Sequence, residues 1–153
     1  MLQRIQSIWL LLSAALLVAL FLVPFGYLVL ADQSTIQLEA LNKVALPWDS
    51  MLNTCTKFIG IFSIHAFAFS LIALFLFKNR KRQKRVVFVS TIFKVLVLVF
   101  VGIAFYQDRS LTELTFHFHW AALFPIIAIF FDILAVVGIN KDEALIRSLD
   151  RIR

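Results

Sequence analysis

The chain has 153 residues, of which 61% are apolar and only 16% charged, and its formal net charge is +6. That balance excludes a disordered chain, and a single cysteine, Cys55, excludes an intrachain disulfide framework or a cysteine metal cluster. Four apolar runs, at residues 8–30, 58–77, 86–105 and 120–139, each reach the length of about 20 residues that a helix needs to cross a bilayer. A soluble domain of this size has no core able to hide four such helices. The expected fold is therefore all-α: one four-helix transmembrane bundle, up-down-up-down, occupying residues 1–153 as a single integral membrane domain.

The first run follows Arg4 and superficially resembles a secretory signal. It exceeds the 7–15 apolar residues of a signal h-region, so it is read as a retained first helix. Pro24 and Gly26 fall late in it and are expected to kink it. Trp9, Tyr27, Tyr106 and Trp120 lie near the ends of the runs, where amphipathic rings are stable at a membrane interface. The first long connection, residues 31–57, contains the alternating stretch Thr35-Ile36-Gln37-Leu38-Glu39, which predicts a short strand or hairpin. Asp49-Ser50 before Met51 resembles a helix N-cap, so the second helix is expected to begin before its apolar run. Cys55 near that start is read as a bystander, with an intermolecular disulfide as the sharper reading.

Between the second and third runs, residues 78–85 read Lys-Asn-Arg-Lys-Arg-Gln-Lys-Arg. The basic residues are Lys78, Arg80, Lys81, Arg82, Lys84 and Arg85. Arg4, Lys141, Arg147, Arg151 and Arg153 fall at the same end of an up-down bundle, so 11 of the 15 Lys and Arg gather there. The positive-inside rule then places both termini and the basic loop in the cytoplasm. Alone, the basic run would suggest nucleic acid; wedged between two spans it reads as an anchor on anionic lipid headgroups, or as a docking surface for a cytoplasmic protein. No nucleic-acid partner is expected.

The second outer connection, residues 106–119, is short and polar. His117 and His119 alternate at its end, which on a strand would suit two ligands for zinc or copper; two histidines without cysteine make a weak metal candidate. Pro125 falls early in the fourth helix, where a missing hydrogen bond matters little. The tail, residues 140–153, places Leu145, Leu149 and Ile152 on one helical face. Glu143 with Arg147, and Arg147 with Asp150, have the spacing of helical ion pairs. A short amphipathic helix continuing or bending along the headgroups is expected, or a docking element.

Three ionisable residues fall inside the runs: Lys94, Asp132 and His65. A charge at mid-span costs about 2.5–3.5 kcal/mol on insertion scales, so each needs a physical reason. At about 1.5 Å of rise per residue, Lys94 on the third helix and Asp132 on the fourth lie nearly level, and an ion pair between them is predicted. Ser70 on the second helix lies at a similar depth and is expected to donate to Asp132, while His65 sits more than a turn further out. The pair reads as a structural lock on helix register. The sharper reading is a proton or cation relay through Asp132, Lys94 and His65, and a third is a polar contact to another subunit. No nucleophile triad, Gly-rich phosphate loop, HExxH motif or paired carboxylates suited to hydrolysis appear, so no catalytic residue and no cofactor is expected.

The opening Gln3-Arg4-Ile5-Gln6, the central Lys78-Asn79-Arg80 with Gln83, and the close Lys141-Asp142-Glu143, Leu145-Ile146-Arg147-Ser148 and Asp150-Arg151-Ile152-Arg153 resemble an uncharacterised family of small four-span membrane proteins from Bacteroidetes-type bacteria. The resemblance covers essentially the whole chain. It implies a bacterial inner-membrane location, and it points to Arg4, Arg80, Arg147, Asp150 and Arg151 rather than to Lys94, Asp132 or His65. The function expected from all of this is a non-enzymatic accessory or scaffold subunit of an inner-membrane complex, with membrane lipids and a protein partner or homo-oligomer as its contacts. The alternatives are an oligomeric channel or transporter using the Lys94–Asp132 pair, and a membrane enzyme acting on lipid or quinone.

Overall fold

The computed structural model describes residues 2–29, 35–40, 51–77, 79–108 and 115–150. Four long helices carry most of it: α1 (Leu2–Leu22), α2 (Met51–Phe75), α3 (Arg80–Asp108) and α4 (Phe124–Asp150). All four are long and apolar enough to span a membrane. Inward positions recur at three- and four-residue intervals on each, as one face of a helix requires. On α2 that stripe is Ile59, Ser63, Ala66, Ser70 and Ala73; on α4 it is Phe124, Ala128, Asp132, Ala135 and Ile139. The opposite faces expose Ile64, Ile72, Phe88, Val95, Ile126, Phe130 and Ile133, an apolar exterior suited to hydrocarbon.

The bundle is built from two close pairs. α1 packs most extensively on α4, and α2 on α3, with lighter contacts joining α1 to α2 and α3 to α4. Phenylalanines seam the second pair: Phe58 lies on Phe100 with ring centroids 4.9 Å apart, and Phe69 on Phe93 at 5.6 Å. Across the first pair, Trp9 stacks on Phe131 at 5.5 Å.

The end of the bundle away from the termini is covered by a small antiparallel sheet of β1 (Gly26–Val29), β2 (Thr35–Leu38) and β3 (Thr115–Phe118), in the order β2-β1-β3. Gly26 stands opposite both Leu38 and Phe118. Phe25, Leu28 and Leu38 point down into a core with Leu20, Ile59, Val97, Val101 and Ala104. The alternation read at residues 35–39 is therefore a real strand, with Leu38 buried and Thr35 and Gln37 exposed.

Several expected boundaries move. The first helix ends at Leu22, well short of residue 30, and Pro24 and Gly26 do not kink it but end it. Pro24 has no N–H to continue the ladder and disfavours helical geometry at Val23. The next backbone groups instead pair with strands on both sides: Phe25 N–H donates to the Leu38 carbonyl at 2.9 Å, and His119 N–H to the Phe25 carbonyl at 3.2 Å. α2 begins at Met51, before its apolar run, because Asn53, Cys55 and Thr56 are buried and Thr56 Oγ1 donates to the Asn53 carbonyl at 2.9 Å. The proposed cap at residues 49–50 lies outside the described residues. α3 begins at Arg80, capped by Asn79, whose Oδ1 accepts from the Arg82 N–H at 3.3 Å. The tail continues α4, which runs unbroken to Asp150 with Pro125 in its first turn.

Two glycines in the helices differ sharply in their surroundings. A Cβ on Gly138 would come within 2.8 Å of Gln6 Cγ, whereas one on Gly102 would meet nothing within 4 Å. Gly138→Ala should displace Gln6 from a buried charge-assisted bond worth about 1.5–3 kcal/mol, outweighing the gain of about 1 kcal/mol in helix propensity. Thermal unfolding in detergent should show Gly138→Ala below wild type and Gly102→Ala at or above it.

A sealed polar cluster between the helix pairs

Midway along the bundle the apolar interior is interrupted by Ser13, Ser70, Ser90, Thr91, Lys94 and Asp132. Lys94 is 0% and Asp132 1% exposed. Lys94 Nζ lies 2.5 Å from Asp132 Oδ2, and it also donates to Ser70 Oγ at 3.1 Å and Ser90 Oγ at 3.0 Å. An ammonium has three protons, and all three are used. Asp132 in turn accepts from Ser13 Oγ at 2.8 Å on one oxygen and from Thr91 Oγ1 at 3.0 Å on the other. Ser90 donates onward to the Ala66 carbonyl at 2.9 Å, which leaves its lone pairs for Ser70 and Lys94. Every helix thus contributes a polar atom to one network.

The network closes across the two helix pairs. Ser70, Ser90, Thr91 and Lys94 belong to the α2–α3 pair, while Ser13 and Asp132 belong to the α1–α4 pair. Lys94–Asp132 and Thr91–Asp132 are the bonds between them. Buried alanines make room: Ala66 and Ala128 flank it, and Ala73 and Ala135 sit one turn nearer the termini. Small residues let membrane helices approach closely enough for short side chains to bridge. Leu10, Ala73, Val87 and Ala135 then form an apolar layer between the cluster and the terminal end.

Beyond that layer lies a second polar belt, again cationic on α3 and anionic on α4. Arg80 Nη1 lies 3.5 Å from Asp142 Oδ2, and Lys84 Nζ 2.6 Å from Glu143 Oε2. Lys84 also donates to Asn140 Oδ1 at 3.1 Å. Gln6 on α1 donates to Asp142 at 2.6 Å, and Gln83 to the Ala73 carbonyl at 3.0 Å. Glu143 reaches across to Lys84; its expected pairing with Arg147 along the helix involves a side chain outside the described residues.

The candidate residues therefore divide. Lys94, Asp132 and Ser70 come together, but Ser70 binds Lys94 and Ser90 rather than donating to Asp132. His65 stands apart from them. It is exposed on the outer face, its Nδ1 lies 2.8 Å from the Ile61 carbonyl, and its ring stacks on Phe93 at 5.3 Å. Five residues from Ser70, it is turned about 140° off the inward stripe at 3.6 residues per turn. A relay through Asp132, Lys94 and His65 is not assembled. His117 is exposed on β3 opposite Tyr27, and His119 Nδ1 accepts from the Ala121 N–H at 3.4 Å at the start of a short 3-10 turn (Trp120–Leu123). No group of three His, Cys, Asp or Glu is gathered among the described residues. Of the basic-end residues, Lys81, Arg82 and Arg85 are exposed. Lys78 and Arg151 lie outside the described residues, as do the side chains of Arg4, Arg147 and Asp150.

Ser13, Ser90 and Thr91 were missed by the sequence reading, as were Gln6, Gln83 and Asp142. Ser90 and Thr91 stand four and three residues before Lys94, the spacing that places side chains together on a helix. That signal was available. Ser13 could not be found this way, because its alignment with Asp132 depends on how α1 meets α4.

Fold and cluster together define a multi-pass membrane protein whose intramembrane charges are neutralised inside a four-helix bundle. The chain belongs to the family described as a domain of unknown function, DUF4293, whose profile matches residues 2–152. Comparison with curated proteins finds no match.

Breaking the pair from one side leaves a buried, uncompensated charge, which costs about 3–5 kcal/mol. Asp132→Asn and Lys94→Met should each lower thermal stability in detergent strongly. The double variant Lys94→Met/Asp132→Asn should recover much of the loss, and a double-mutant cycle on unfolding measures the coupling.

Proposed function

We propose that this protein is a non-enzymatic accessory or scaffold subunit of a bacterial inner-membrane complex, with both termini in the cytoplasm. The observation that carries the reading is the saturation of Lys94 and Asp132. Each donor of the ammonium is used inside the bundle, and both carboxylate oxygens accept from neighbouring helices. Intramembrane charge mounted for transport or catalysis has to exchange partners, whereas here it fastens four helices to one another. The concentration of Lys and Arg at the terminal end supports the cytoplasmic placement. Exposed Lys81, Arg82, Arg85 and Lys141 at that end, with apolar flanks such as Phe75, Phe88 and Phe130, suit docking to a larger assembly.

The alternative is an oligomeric channel or transporter. It is favoured by a Lys–Asp pair placed at the junction of two helix pairs, since such residues often mark ion pathways. The two readings part on one experiment. Tagged protein drawn from native membranes in mild detergent should carry a stoichiometric membrane partner, and the Asp132→Asn variant, where it folds, should retain that partner. A homo-oligomer without partner, together with proton or cation flux in proteoliposomes that Asp132→Asn abolishes, would replace the scaffold reading with the transport one.

A further inference from the structure

A groove of about 330 Å³ opens on the outside of the bundle where α2 turns into α3, lined by Leu76, Arg82, Arg85, Val86 and Val89. On α3 these positions follow at three- and four-residue spacing, so they form one stripe. The arginines stand at the terminal end of the stripe and the valines further into the apolar zone. The rise from residue 82 to 89 is about 10 Å. The basic residues of this segment are sorted by face: Arg80 and Lys84 turn toward Asp142 and Glu143 on α4. Arg82 and Arg85 are exposed, and neither forms an ion pair with a described residue.

A cationic mouth over apolar walls complements an amphiphile with an anionic head. A guanidinium presents a planar fork of donors that matches phosphate oxygens, and two of them a turn apart can hold one phosphate. An acidic peptide would satisfy the arginines but leave Leu76, Val86 and Val89 uncovered. A neutral lipid would cover the walls and leave the arginines without a counter-charge. We propose that this groove binds one anionic phospholipid, with its phosphate held by Arg82 and Arg85 and an acyl chain lying against Leu76, Val86 and Val89. This rests on the membrane-spanning reading of the helices and on no protein partner, so failure to find a partner leaves it standing.

The test is native mass spectrometry of the full chain in mild detergent, titrated with phosphatidylglycerol or phosphatidylcholine. Wild type should retain one phosphatidylglycerol in preference to phosphatidylcholine, and excess inorganic phosphate should not displace it. Arg82→Gln/Arg85→Gln should weaken retention about 30-fold. Lys81→Gln/Lys141→Gln removes the same charge from the same end but outside the groove, and should leave retention within about threefold of wild type. Val89→Phe, which narrows the groove without altering charge, should also weaken it, and serves if the arginine variant does not fold. Equal loss in the two charge variants would reduce the effect to a diffuse surface potential and overturn the site. So would equal retention of the two lipids, displacement by free phosphate, or indifference to Val89→Phe.

Discussion

A lysine ammonium enclosed among four apolar helices has to be neutralised where it stands, and the rest of this bundle is arranged around that requirement. Lys94 cannot reach water, and its counter-charge comes from Asp132 on a different helix pair. The attraction alone would not offset the desolvation of both groups. Hydrogen bonds to the remaining protons and lone pairs complete the compensation. Ser70 and Ser90 serve the ammonium, and Ser13 and Thr91 the carboxylate. Once those six side chains are fixed, the rotation of each helix about its axis and its height relative to its neighbours are fixed as well. Apolar contacts among Leu, Val and Phe have no such selectivity in a lipid solvent, where tails are as apolar as side chains.

The same division of charge repeats at the terminal end. Arg80 and Lys84 stand on α3, and Asp142 and Glu143 on α4, so the lightly packed seam between those helices is held by ion pairs at two levels. The pairs differ in kind. In the outer two the cations Arg80 and Lys84 are partly exposed, whereas the central pair is enclosed by apolar layers above and below. At the other end the sheet takes over, covering the core with Phe25, Leu28 and Leu38. The α1 backbone, released at Pro24, finds its hydrogen bonds in β2 and β3.

The DUF4293 family is described only as a domain of unknown function, so the chemistry has to be argued from the atoms. The buried charges face one another, while the exposed Lys81, Arg82, Arg85 and Lys141 stand at the terminal end. The sorting of Arg82 and Arg85 away from α4, beside an apolar groove, is the clearest instance of that division.

What the sequence determined by itself was the class and the number of membrane-length helices. Four apolar runs of bilayer length permit no other architecture, because backbone in lipid must satisfy its hydrogen bonds within helices or closed barrels. Period-two alternation was enough to expose β2. Level depth, a matter of counting residues, was enough to suggest that Lys94 and Asp132 meet. Only the tertiary structure decided which small polar residues complete that pair. Depth along one axis says nothing of rotation about it, and Ser13 and Ser70 reach the cluster only because α1 and α2 are turned as they are, while His65 is turned away. The end of α1 was hidden for a related reason. Residues 23–29 are as apolar as the helix before them, and their conformation was set by pairing with β2 just beyond them and with β3 far along the chain.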